Sequence, residues 1–146
     1  MAGLLCSVRS GLVAYSAGVS KTALMLTAPT HQRLQVVKFC MTTDLSSPTA
    51  LPGILTIYRA TTAGTFTAVT PVRLSAGSET PQATAGANAS VEPIQGDVVG
   101  QLHVDRSFLE ARAIDLRLPV PGGTRLGFHL YTPSAIGVLS WIEYEE

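Results

Sequence analysis

The stretch 111–144 constrains the fold more than any other part of the chain, because it alternates apolar and polar residues over three strand lengths in succession. Ile114, Leu116, Leu118 and Val120 point one way, while Ala113, Asp115, Arg117 and Pro119 point the other. After Pro121-Gly122-Gly123, Leu126, Phe128 and Leu130 alternate with Arg125, Gly127, His129 and Tyr131. A break at Pro133-Ser134 leads into Ile136, Val138, Ser140, Ile142 and Tyr144, opposite Gly137, Leu139, Trp141 and Glu143. Side chains on a strand alternate faces with period two, so the pattern predicts a meander with one core face.

A chain of 146 residues is one domain by length and can bury a real core. Charged residues are only 14%, against roughly a quarter in ordinary soluble domains. Apolar residues are 46% and mean hydropathy is +0.29. Runs such as Gly11–Tyr15 and Ile136–Leu139 fall far short of the ~18 residues of a transmembrane helix, so no membrane role is expected. The surplus apolar surface then has to be covered by another subunit, which predicts a homo-oligomer, a dimer or trimer. Ten basic and ten acidic residues give zero net charge. The cations do not cluster, which argues against nucleic acid as a partner. Arginine outnumbers lysine eight to two, a bias that suits interface contacts.

Cys6 and Cys40 sit among apolar neighbours, Leu4-Leu5 and Phe39/Met41, and read as buried free thiols rather than a disulfide. No cationic n-region precedes Leu4-Leu5-Cys6 and no cleavage signature follows it, so no signal peptide is expected. Assembly in a reducing cytoplasm fits, and the sequon at Asn88-Ala89-Ser90 is then silent. Residues 1–20 read as an N-terminal arm or a short strand pair, and 21–146 as the β-sandwich domain. Within that domain, 22–28, 33–42 and 53–59 are strands, 43–52 is a loop rich in turn residues, and 59–73 reads as a hairpin with Gly64 at its tip. Residues 75–90, small and polar, read as a loop with one weak strand near Gln82–Ala85. With 97–104 the count reaches eight or nine strands and no helical periodicity. The expected fold is all-β: a single-domain antiparallel β-sandwich, jelly-roll-like.

Residue types with chemistry are present but do not assemble into a motif. His103 and Asp105 share a strand face near the turn at Asp105-Arg106-Ser107, yet no further ligand with metal spacing accompanies them. Cys40 lies inside an apolar strand, and no nucleophile elbow surrounds any serine. Glu143 and Glu145 share a face, which glycosidase chemistry could use in a cleft, but a terminal acidic tail is more often solvated or paired with arginine. Gly122-Gly123 precedes a strand rather than a helix and is a turn, not a phosphate cradle. No catalytic residue, metal or cofactor is expected, and the chain does not read as an enzyme. Leu139 and Trp141 lie opposite the apolar set of the last strand. Two readings stand for them: burial between sheets or beneath a loop, or an intersubunit anchor with Arg117 and Arg125 as directional contacts around it.

Several segments, in order, resemble a family of small tailed-bacteriophage virion proteins. They are Leu26–Arg33, Ile57–Thr65, Val69–Leu74, Ala83–Ala85, Glu92-Pro93, Pro121–Gly127 and Trp141–Glu146, together spanning most of the chain beyond residue ~20. The resemblance implies a structural protein of the phage particle and brings no catalytic residue with it. Combined with the composition, it predicts a capsid decoration or cement protein at the head surface. Such a protein is assembled in the host cytoplasm and bound to the major capsid protein. A tail or neck component is the alternative, although no stretch is long enough for the helix such subunits carry. A host-glycan-binding β-sandwich is another, with nine aromatics scattered rather than clustered.

Overall fold

In a computed structural model, which describes residues 3–44, 52–105, 108 and 110–146, the chain forms eleven strands. These are β1 (Leu5–Tyr15), β2 (Val19–Thr27), β3 (Leu34–Thr43), β4 (Gly53–Ala60), β5 (Thr65–Val69), β6 (Val72–Arg73), β7 (Thr84–Val91), β8 (Gln95–Val104), β9 (Arg112–Val120), β10 (Arg125–Thr132) and β11 (Ile136–Glu145). Two sheets carry them, in the orders β6-β1-β11-β3-β9 and β5-β7-β2-β10-β4-β8, with every ladder antiparallel. Most of the expected loop 43–52 and the turn at Arg106-Ser107 lie outside the described residues. No helix among the described residues is long and apolar enough to cross a membrane.

The all-β sandwich is as the sequence predicts, and its wiring is a jelly roll. Set aside β5–β7, and the strands fall into β1-β11-β3-β9 facing β2-β10-β4-β8. The chain changes sheet at each step from β1 to β4 and again from β8 to β11. That is the double Greek key of a jelly roll. The insertion between β4 and β8 travels to the opposite edge and extends both sheets there: β6 pairs with β1, and β7 with β2.

The two inner faces fill the core. Phe39 and Phe128 stack across it with centroids 4.3 Å apart and planes 7° from parallel. Around them lie Leu24, Leu26, Leu34, Leu55, Leu126, Leu130 and Ile142, all fully buried. Each such side chain contributes about 1.5–3 kcal/mol relative to exposure, so the alternating stretches dictate which face of every strand turns inward.

Three expectations need correction in their pairing. The strands of 111–144 exist, but they are not a meander: β9 and β11 belong to one sheet and β10 to the other. Alternation fixes which face is buried and is silent about which sheet buries it. Residues 59–73 are not a hairpin either, because β5 pairs with β7 and sits at the edge remote from β4. The 75–90 stretch, read as a loop with one weak strand, runs into the eight-residue strand β7, which begins at Thr84 and ends at Val91; alanine and glycine suffice there because β2 and β5 flank it. Residues 5–15, read as an arm or part of a strand pair, are a strand of the sandwich between β6 and β11. A bulge at Ser10-Gly11, with Gly11 at φ 68, moves the inward phase from Cys6 and Val8 to Val13 and Tyr15. That phase change breaks the period-two pattern in the sequence.

Candidate assembly face

Among the described residues, two places carry polar or exposed groups in an arrangement beyond simple packing. The first lies on the outer face of the six-stranded sheet. Tyr58 on β4 is fully buried, although its strand neighbours Leu55 and Ile57 are the ones facing the core. Its ring crosses β10 over Gly127, where a Cβ would stand 2.6 Å from Tyr58 Cζ. The phenol then reaches β2, with its oxygen 2.7 Å from Thr22 Oγ1. Thr22 faces outward because a bulge offsets β2 against β10 between Phe128 and His129.

Glu92, just past β7, closes this cluster. Its carboxylate accepts the Thr22 backbone N–H at 2.7 Å and the Thr22 hydroxyl at 2.7 Å. His129 Nδ1 lies 3.5 Å from the same carboxylate. Because the single Thr22 proton goes to Glu92, Tyr58 must be the donor to Thr22. Burial, foremost, and the nearby Glu92 charge push the Tyr58 phenol up to about 12. The phenol is therefore held neutral as a donor at ordinary pH. Chemically the cluster is a chain of satisfied hydrogen bonds that fastens the return of the insertion, where Ile94 meets Thr61 and Thr62.

The second place is the outer face of the five-stranded sheet. On β11, Leu139 and Trp141 both point outward, and Leu139 is 44% exposed. Register places Arg9 beside Trp141 and Leu12 beside Leu139, with Cys40 of β3 on the far side of Trp141. Leu12 is 73% exposed, the highest of the large apolar residues among those described. Val72 of β6 lies next to Ser7, and Leu74, just beyond, donates its N–H to Leu5 O; both side chains are exposed.

A depression of about 360 Å³ is lined by Arg9, Gly11, Leu139, Ser140 and Trp141. A second, of about 230 Å³, is lined by Ser7, Arg9, Val69, Thr70, Val72 and Leu74. Arg9 borders both. The next row of the face is charged: Lys38 Nζ lies 3.3 Å from Glu143 Oε2, and Asp115 is in register with Lys38.

The structure thus brings Leu139 and Trp141 together on an open face and leaves the two predicted arginines elsewhere. Arg117 is exposed on edge strand β9, at a bulge where its φ is 48. Arg125 is on β10, in the other sheet. The cation beside Trp141 is Arg9, which sequence reasoning missed because the bulge disguised its strand. Glu143 is paired with Lys38, and the Glu146 carboxylate accepts the N–H groups of Gln82 and Ala83 at 2.8–3.0 Å. Cys6 and Cys40 are free and buried, and burial, foremost, pushes both thiols up. Among the described residues, no three His, Cys, Asp or Glu side chains are grouped as a metal site. Compared with protein families, with curated proteins and with solved structures, the chain matches none.

Proposed function

We propose that this chain is a homo-oligomeric structural protein of a tailed-phage particle, a decoration or cement subunit that binds the major capsid protein and stabilises the assembled head. The observation that carries the reading is the open face of the five-stranded sheet, where Leu12, Leu139, Val72 and Leu74 stand exposed around Trp141 and Arg9. An apolar band of this kind on a small domain calls for a macromolecular partner. Tryptophan and arginine are among the residue types enriched at interface hot spots. Thr22, Tyr58, Glu92 and His129 are engaged in fastening the insertion to the six-stranded sheet, which supports a structural role for that cluster. The segments that resemble small phage virion proteins supply the setting.

A ligand that binds only the intact shell shifts the balance away from disassembly, and many symmetric copies add their effects. The test compares heat-induced DNA release from particles with and without the protein, together with immunolabelling. Release at a higher temperature with protein on heads supports the proposal. Equal release temperatures with label confined to tails replaces it with a tail component.

A further inference from the structure

Two depressions share one cation, and that arrangement selects the chemistry of what fills them. Arg9 is exposed and has no ion-pair partner among the described residues. The depression on its β11 side is walled by Leu139 and Trp141, and the one on its β6 side by Val69, Val72 and Leu74. β11 and β6 are the two neighbours of β1. Adjacent strands are ~4.8 Å apart, so β11 and β6 stand roughly 10 Å apart across β1; the two depressions are also offset along β1, since Trp141 is in register with Arg9 and Val72 with Ser7.

We infer that this face binds an extended peptide segment of its partner in which a carboxylate is flanked by two apolar side chains. The apolar residues enter the two depressions and the carboxylate meets the Arg9 guanidinium between them. In an extended chain, residues i, i+2 and i+4 point the same way, and the outer two are about 13 Å apart. A guanidinium presents a planar fork of donors to a carboxylate, so the charged bond adds direction to otherwise unspecific apolar contacts. The inference rests on reading this face as the assembly face and names the chemistry of its occupant.

Trp141 is the sole tryptophan and lines the first depression, so its emission reports occupancy. The probes are acetyl-Leu-Ser-Glu-Ser-Leu-amide and the same peptide with Gln for Glu, titrated into the full chain. A saturable blue shift is expected with the Glu peptide. Binding of the Gln peptide should be at least about tenfold weaker, because one charge-assisted bond is lost. R9Q, at an exposed position, should bind the two peptides alike. No saturable shift with the Glu peptide, or equal binding of both by the wild type, overturns the inference.

Shell binding separates this inference from the reading beneath it. Wild-type protein that binds shells no better than R9Q overturns the peptide chemistry and leaves the virion role standing. Wild-type protein that binds no shell overturns the virion role, while a Glu-over-Gln preference still supports the peptide chemistry.

Discussion

At the scale of single residues, the outer cluster of the six-stranded sheet makes the sharpest demands. Gly127 is required because the Tyr58 ring occupies the space of its missing side chain. Gly127→Ala sets a methyl group against a fully buried ring and is expected to destabilise the fold by about 1–3 kcal/mol in a urea melt, as overpacking does. Tyr58 also confers a pH dependence. Its phenol titrates at about 12 in the folded chain and near 10 when unfolded. The folded state therefore holds a proton that the unfolded state has lost, and stability falls as pH rises from 10 towards 12. Below pH 10 that contribution is fully present. Tyr15 and Tyr144 are also raised, chiefly by burial, so the wild type should lose stability steeply in alkali. Tyr58→Phe is expected to remove about 1.4 kcal/mol per pH unit from that slope, measured by urea melts at pH 9, 10.5 and 11.5. An unchanged slope would show that the phenol is not buried as described. The two thiols give a third check at this scale. Both are buried with raised pKa, so a thiol reagent at pH 8 should label neither until denaturant is added.

Strand elements show where sequence patterns carry information and where they stop. β10 and β11 were legible because Leu126, Phe128 and Leu130, or Ile136, Val138 and Ile142, fall on one phase of a period-two pattern. β1 was not, since Gly11 shifts its phase midway. Leu139 and Trp141 could be assigned a face by alternation, but their neighbour Arg9 comes from 132 residues earlier through a register no local pattern specifies. The polar cluster was invisible for the same reason: Thr22, Tyr58, Glu92 and His129 come from four separate parts of the chain. Bulges recur on edge strands as well. β8 is offset against β4 on both sides of Tyr58, and β9 is bulged at Arg117 and carries Pro119. Such features spoil these two edges as templates for another strand. The insertion itself is held to the jelly roll by two carboxylates, Glu92 on Thr22 and Glu146 on Gln82 and Ala83. Glu146→Gln keeps the size of the side chain but replaces a carboxylate that accepts two backbone N–H groups. Amide hydrogen exchange should then quicken in β7 and near Gln82 while β3, β4 and β10 stay protected. Uniform loss of protection would mean that the insertion is not a separable unit.

For the whole molecule, the wiring imposes an interdependence that no single strand reveals. Divide the chain within 75–80, a run of exposed residues between β6 and β7. Of the nine ladders among the described residues, only β1–β6 joins strands from the same side of that division. The other eight, from β1–β11 to β5–β7, each join a strand from the first part to one from the second. Among the described residues, the part beginning with β7 has no strand pair of its own, so its buried backbone groups would be left without partners. Neither part can build a sheet, and the loop closures that bring them together must precede the contacts that reward them. Folding should accordingly be slow for a domain of this length, in the millisecond-to-second range typical of non-local β topologies. The same interleaving predicts the response to a cut. A protease site placed in 75–80 and cleaved in the native protein should leave a particle of unchanged mass and strand dichroism, because the eight ladders still bridge the fragments. Each fragment purified under denaturant and refolded alone should stay unfolded, and mixing the two should restore the native spectrum at a rate that depends on concentration. A single fragment that folds by itself would contradict the strand order on which the assembly face depends.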